Sequence, residues 1–370
     1  MRLMRTPKTV EIAVTNDCNL RCKYCYHFTG AGDVAGDLPL GEWLEFFKEL
    51  NRCAVMNVIL GGGEPFHRKD LKGLIDGIVK NRMRFCVLSN GTLITDDMAE
   101  FLASTKRCDN VQVSIDGSIP TTHDAMRGEG SFLKAVEGIK CLKTHKVPIA
   151  VRVTIHRKNV MDLDNIAKFL LDDIGLLGFG TNSASYMGLC RKNSEQVQLT
   201  AEDRSAAMEA LLRLNRIYNG RIGGQAGPLA EAQMWLEMEH AKQERKGKSA
   251  GRGCLASCGG VMTKIGVRAD GIIVPCSLLS HIELGRINKD ALEDIWQNHP
   301  ELRKVRERKD IPLGNFGYCK RCEYINYCRG NCPAFAYTLV GRVNHPNPDA
   351  CLRKFLQEGG RLPEKNLLYV

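Results

Sequence analysis

Nowhere in the 370-residue chain do about 18 apolar residues run uninterrupted, and no apolar stretch precedes Cys18, so the sequence predicts neither a membrane span nor a secretory signal. The first strand-like run, 10–15, is not followed by the G-x-G-x-x-G turn that a doubly wound nucleotide-binding sheet requires; cysteines stand there instead. No histidine near those cysteines has the offset of a zinc finger, and His27 is the only one close by. Residues 194–253 contain no cysteine and no strand signal. What the sequence holds in abundance is cysteine, sixteen in all and mostly in tight groups. The predicted compartment is a reducing cytoplasm, where grouped cysteines read as metal ligands rather than disulfides. A chain of this length also predicts two or more domains, with ample size to bury a core.

Cys18-Asn19-Leu20-Arg21-Cys22-Lys23-Tyr24-Cys25 packs three thiols into eight residues directly after that first strand-like run. The C-x3-C-x2-C spacing does not fit the paired C-x2-C knuckles of a four-cysteine zinc site. A [4Fe–4S] cubane takes four cysteines, so a loop offering three leaves one iron open to an exogenous ligand. On this motif alone, a structural cluster or a zinc loop is the plainer alternative. The loop resembles the signature of the radical SAM family, C-x3-C-x-aromatic-C, with Tyr24 in the aromatic position. The resemblance implies that the open iron chelates the amino and carboxylate groups of S-adenosylmethionine. The reduced cluster then cleaves it to methionine and a 5′-deoxyadenosyl radical.

The first half alternates strand and helix. Strands are predicted at 10–15, 57–60, 84–88, 111–115 and 149–155, with a weaker sixth between 176 and 185; Asp109 and Asn110 read as turn residues leading into the fourth. Helical periodicity marks 40–53, 71–79, 98–104, 132–142 and 163–171. Six βα units predict parallel strands with right-handed crossovers, and the resemblance makes them an α/β, partial (β/α)6 TIM-like barrel. The cysteine loop and Gly61-Gly62-Gly63-Glu64-Pro65 both follow strands, which puts them at the carboxyl edge where such sheets bind ligands. Three glycines there let backbone approach a ligand closely. Gly62, Gly63 and Glu64 match the family's GGE(P) motif, which implies contact with the methionyl amino group. Ser89, Asn90, Ser114 and Asp116 stand at the ends of the third and fourth strands, where the family places contacts to ribose and carboxylate; each taken singly is also an ordinary turn former. Arg127, after His123-Asp124, pairs either with that carboxylate or with local acids. No residue is assigned as a catalytic base.

Residues 191–250 read as a helical bridge between the barrel (8–190) and a cysteine-rich module (251–355), with a tail at 356–370. In the module, Cys258 is followed by Cys276, then by Cys319, Cys322, Cys328 and Cys332, and finally by Cys351, with Cys254 as an eighth. A zinc ribbon over 319–332 is the alternative. The order resembles the SPASM extension of radical SAM enzymes. That implies one auxiliary [4Fe–4S] cluster on Cys254, Cys258, Cys276 and Cys332 and a distal one on Cys319, Cys322, Cys328 and Cys351, three clusters in all. Residues 261–274 read as a hairpin around Ala269-Asp270-Gly271. Cys53, Cys86, Cys108, Cys141 and Cys190 lack grouping and read as free thiols.

The net charge of +10 does not predict a nucleic-acid partner. Eleven thiolates on three cubane cores lower it by roughly 5. The remaining basic runs, 242–252 and 303–309, read as solvated helix faces or linkers. SPASM proteins mostly modify ribosomally made peptides or proteins, so the resemblance implies a peptide or protein substrate and an intramolecular thioether or carbon–carbon crosslink. Relatives acting on haem precursors supply the alternative. Ser277 stands where sulfatase-maturing members carry an aspartate base, which argues against formylglycine formation. Only 17 residues precede Cys18, so a leader peptide would need a separate binding partner or the barrel mouth. A flavodoxin- or ferredoxin-type protein is the implied electron donor.

Overall fold

The computed structural model describes residues 3–28, 36–248 and 251–364. Six strands build the barrel wall: β1 (Thr9–Thr15), β2 (Asn57–Gly62), β3 (Arg84–Ser89), β4 (Cys108–Ser114), β5 (Ile149–Ile155) and β6 (Phe179–Ser183). Each pairs in parallel with the next. The period-2 pattern sends Val10, Ile12, Val58, Leu60, Phe85 and Val87 outward, under the helices. Glu11, Ala13, Gln112 and Arg152 occupy the alternate positions, facing the lumen.

The covering helices are α1 (Leu40–Arg52), α2 (Leu71–Lys80), α3 (Asp96–Ser104), α4 (Pro120–Arg127), α5 (Ser131–Thr144) and α6 (Leu163–Lys168). In α1, Trp43, Phe46, Phe47 and Leu50 fall on one face and are fully buried against the sheet. Truncating one such aromatic to alanine costs about 3–5 kcal/mol. Thr95 caps α3 by accepting a hydrogen bond from the Met98 backbone N–H.

The sheet does not stop at six strands. β7 (Ile222–Gly224) pairs in parallel with β6, and β8 (Lys264–Val267) pairs in parallel with β1. β9 (Ile272–Val274) and β10 (Gly285–Arg286) continue it antiparallel, so one ten-stranded sheet runs β10-β9-β8-β1-β2-β3-β4-β5-β6-β7. The hairpin predicted over 261–274 is β8–β9, and Gly271 takes the positive φ of +86° at its turn. The cysteine-rich module is therefore stitched to the barrel through the edge of β1 opposite β2.

Four sequence expectations need correcting. The bridge holds a strand, β7, which its Gly-rich sequence hides because only Ile222 packs inward. Asp109 and Asn110 lie inside β4, where a bulge and the Arg84–Asp109 ion pair accommodate them. A further helix, α4, forms where the sequence analysis placed no element, started by Pro120 at its first turn. The basic run 303–309 is not wholly solvated, because Arg306 and Arg308 are buried. The helix Leu352–Gln357 crosses the predicted tail boundary, with the Phe355 ring 4.8 Å from that of Trp235; residues 365–370 lie outside the described residues. Among the described residues no helix is long and apolar enough to cross a membrane.

Candidate functional site

The cysteine loop leaves the carboxyl end of β1 and is held from several sides by backbone. Lys23 N–H donates to Met126 O in α4 (2.8 Å), Leu189 N–H donates to Cys25 O (2.9 Å), and the Arg21 guanidinium donates to Cys18 O (2.6 Å). Gly63 N–H donates to Thr15 O and Glu64 N–H to Asp17 O, each at 2.8 Å. A Cβ added at Gly63 would overlap the Asp17 carbonyl, and one at Gly62, whose φ is +113°, would overlap that of Thr15. The close approach these glycines permit is therefore to the chain entering the cysteine loop.

Glu64 is buried with its carboxylate facing the end of β3. Oε1 accepts from Ser89 Oγ (2.8 Å) and from Phe66 N–H (3.2 Å), and Oε2 accepts from Asn90 N–H (2.7 Å). Burial pushes its pKa up to about 7, against the pull of those donors. The Asn90 amide donates to Asn19 Oδ1 (2.9 Å), and Asn19 donates in turn to Thr92 Oγ1 (2.8 Å), tying β3 to the cysteine loop.

A second network closes around Asp116, which is fully buried. Its Oδ2 accepts from Arg127 Nε (2.6 Å) and from the Tyr24 hydroxyl; its Oδ1 accepts from Thr154 N–H (2.7 Å). Burial is the largest influence on Asp116 and opposes its ionisation, but the Arg127 charge and hydrogen bond, added to the pull of His156 and His123, hold the carboxyl below its ordinary value. Arg127 also lies over the Tyr24 ring at 5.3 Å. Ser114 stands at the lumenal end of β4, opposite Arg152, with no side-chain hydrogen bond among the described residues.

Sequence reasoning missed the end of β5. His156 is fully buried and stacks on Tyr24 at 6.0 Å, while Asn159 donates to the Asp116 carbonyl (3.0 Å). Burial holds His123 and His156 down at about 4, so both imidazoles are neutral near pH 7. The signal was Thr154-Ile155-His156-Arg157-Lys158-Asn159, polar residues closing an apolar strand.

All sixteen cysteines are free thiols. The thiols of Cys18, Cys22 and Cys25 lie within electrostatic reach of one another, and burial pushes Cys18 up to about 11 and Cys22 up to about 12. Such thiols ionise when a metal takes them. Cys319, Cys322, Cys328 and Cys351 line one cavity of about 440 Å3. Cys276 and Cys332 each sense the charge of Cys258, and Cys254 lies four residues before it. Among the described residues no three His, Cys, Asp or Glu side chains converge on a single ion. A cubane spreads its ligands over the corners of a cluster, so the four thiols around the 440 Å3 cavity fit one.

Two further cavities open between the carboxyl edge of the barrel and the module. One, of about 220 Å3, is lined by Glu11, Asn16, Tyr26, Gly62, Arg268 and Ser277 among others; the second, of about 180 Å3, by Ser183, Gln225, Glu231, Cys332 and Phe335 among others.

A parallel barrel that presents three thiols at its first loop and a buried carboxylate beside them, with cysteine-lined sites behind, defines an iron–sulfur enzyme that uses S-adenosylmethionine. The chain belongs to the radical SAM superfamily, whose family profile matches residues 12–170, and its iron–sulfur cluster-binding SPASM domain matches residues 258–323. It is 25% identical to the AdoMet-dependent heme synthase of Methanosarcina barkeri, over 94% of this chain and 97% of that protein. It is 28% identical to the mycofactocin maturase MftC of Mycobacterium tuberculosis, over 94% of this chain and 84% of that one. In fold it resembles Streptococcus suis SuiB bound to S-adenosylmethionine, with a TM-score of 0.71 at 16% identity, covering 95% of this chain and 78% of SuiB.

Proposed function

We propose that this enzyme matures a ribosomally made peptide, forming an intramolecular thioether or carbon–carbon crosslink in a reducing cytoplasm. The observation that carries the reading is that the cations beside the two cavities are already matched, while Arg152, deeper in the lumen, meets only Gln112 and the Thr181 carbonyl. Arg268, in the larger cavity, is held by Asp270 and Glu283; Lys264 is held by Glu11; Arg204 is held by Glu231 and Asp349. A polycarboxylate such as a haem precursor needs unmatched cations, whereas a peptide lying in the cleft needs backbone hydrogen bonds and narrow openings for one or two side chains. The two cavities, about 220 and 180 Å3, fit that demand and fall below the roughly 300–1,000 Å3 that encloses a drug-sized ligand.

In this reading Cys18, Cys22 and Cys25 hold the reactive cluster. Cys254, Cys258, Cys276 and Cys332 hold the nearer auxiliary cluster, and Cys319, Cys322, Cys328 and Cys351 the distal one. Once bound, the reactive cluster and S-adenosylmethionine supply a 5′-deoxyadenosyl radical that takes one hydrogen atom from the substrate. The protein's own work is placement. Glu64, steadied by Ser89 and Asn90, offers a carboxylate to the methionyl ammonium, and that cation favours its ionised form. Arg127 and Asp116 fix Tyr24 and hence the last turn of the cysteine loop. Gly62, Gly63, Ser114 and the walls of the cleft orient the cofactor and exclude water from a radical that would otherwise react unselectively. Four thiols per auxiliary cluster leave no open iron there, which suits electron transfer. A flavodoxin- or ferredoxin-type donor and a separate leader-binding protein complete the system.

The likeness to a heme synthase favours a second reading, oxidation of a haem precursor. The two part in one experiment. A peptide encoded beside this gene, deuterated at the reacting β or ring carbon, passes one deuterium into 5′-deoxyadenosine and loses three mass units per crosslink, that deuterium and one hydrogen. Deuterium transfer from a porphyrin propionate, with no reaction on any neighbouring peptide, moves the function to haem.

A further inference from the structure

Arg308 is fully buried, in the short turn Arg308–Asp310 that follows the helix Pro300–Glu307. Its guanidinium donates to the carbonyls of Ala256, Asn331 (2.9 Å) and His345 (2.9 Å), and its Nε has no hydrogen-bond partner. Among the described residues it has no ion-pair partner. Arg127, by contrast, faces Asp116, and the half-buried Arg204 faces Glu231 and Asp349; Arg306, buried without an ion pair, lies 4.3 Å over the Trp296 ring. An arginine stays protonated in proteins, and an unmatched buried charge costs several kcal/mol. The groups within its electrostatic reach that become anionic when a metal takes them are the thiols of Cys258 and Cys332. Two of its acceptors belong to the segments that carry those cysteines, Ala256 between Cys254 and Cys258 and Asn331 immediately before Cys332.

We propose that Arg308 is the fixed counter-charge of the auxiliary cluster held by Cys254, Cys258, Cys276 and Cys332, and that it raises the reduction potential of that cluster above that of the distal one. The inference rests on the cluster assignment made above. Four thiolates on a cubane core of about +2 leave a net charge of about −2, and about −3 after one electron is added without a proton. A buried positive charge stabilises the reduced form more. At the distal cysteines Arg353, whose charge reaches Cys319 and Cys322, is partly exposed and lies over the Tyr318 ring, so solvent screens it. The nearer cluster is then the first acceptor for the electron that leaves the substrate radical, while the accompanying proton goes to solvent.

The test is a redox titration of the anaerobically reconstituted full chain, followed by electron paramagnetic resonance, with the iron content of each variant measured. The reactive-cluster signal is recognised because S-adenosylmethionine alters it. In Arg308→Gln, one of the two insensitive signals should fall at least tenfold in its reduction equilibrium, about 59 mV for one electron. Arg308→Lys, which keeps the charge, should stay near the wild type. Loss of about four irons in Arg308→Gln but not in Arg308→Lys supports the same role. Full iron with unchanged potentials in both variants overturns it, as does equal iron loss in both, which would make Arg308 a hydrogen-bonding scaffold. A wild-type chain that holds only about four irons removes the cluster assignment itself and the inference with it.

Discussion

The cysteine loop of the barrel and the cysteines of the module solve opposite problems. Cys18, Cys22 and Cys25 come from one loop whose backbone is pinned by α4, by residue 189 and by the Gly62–Glu64 turn through hydrogen bonds that need no metal. The eight module cysteines are drawn from positions 254 to 351, and the distal four surround an open cavity of about 440 Å3. A preformed loop with three thiols leaves an iron free to bind a substrate-like ligand. Four thiols converging from distant segments close the cluster off and make it part of the fold. On the proposed assignment, chemistry belongs to the region whose loop is pinned without metal, and electron transfer to the region that iron completes.

The largest effect should come from removing the open-iron site. Alanine at Cys18, Cys22 and Cys25 together should delete about four of about twelve irons and abolish reductive cleavage of S-adenosylmethionine, with the barrel still folded by circular dichroism. Full cleavage by this variant would break the comparison at its root. Alanine at Cys319 and Cys322 should also delete about four irons, but here the module loosens, measured as faster hydrogen exchange over residues 313–355. Uncoupled 5′-deoxyadenosine should persist while product disappears; normal product from a folded variant would end the electron-relay role.

A subtler change separates the pinned loop from its ligands. Gly63→Ala keeps every cysteine but forces a methyl group into the Asp17 carbonyl, an overpacking worth about 1–3 kcal/mol. It should lower iron at the reactive site and leave the auxiliary clusters loaded, as read from iron content and the S-adenosylmethionine-sensitive signal. Full loading of that site would show that the glycine turn does not position the loop.

The smallest expected effect lies at the clamp between bridge and module. Burial raises the Glu231 carboxyl from the ordinary 4.5 to about 7, with Arg204 opposing and Asp349 adding to the shift. The folded chain holds this proton more tightly than the unfolded one, so the contribution of Glu231 is greatest at low pH and is lost as pH rises towards 7. Glu231→Gln should therefore gain about 1–3 kcal/mol on the wild type between pH 5 and pH 7 in urea melts. A difference that stays constant with pH would mean that Arg204 keeps Glu231 ionised throughout.

The sequence made the reactive site legible because its signal is local: three cysteines and a glycine turn, each directly after an apolar strand, need no tertiary information to be placed. It left β8 unjoined to β1, because parallel pairing across some 250 residues leaves no mark in either segment. β7 was too short and too glycine-rich to register as a strand. Arg308 looked like one more surface charge in the run 303–309, since periodicity cannot tell which arginine of a basic helix end turns inward. The Tyr24–Asp116–Arg127 network was half visible. The residues stood out singly, but that they meet depends on α4 folding back over the loop.

The most direct measurement is Mössbauer spectroscopy of the wild-type chain reconstituted with iron-57, before and after S-adenosylmethionine is added. One iron in about twelve should change its coordination, the one that the Cys18–Cys25 loop leaves without a thiol, while the irons of both auxiliary clusters keep their spectra. A spectrum in which no iron responds, or in which an auxiliary iron responds instead, would contradict the account.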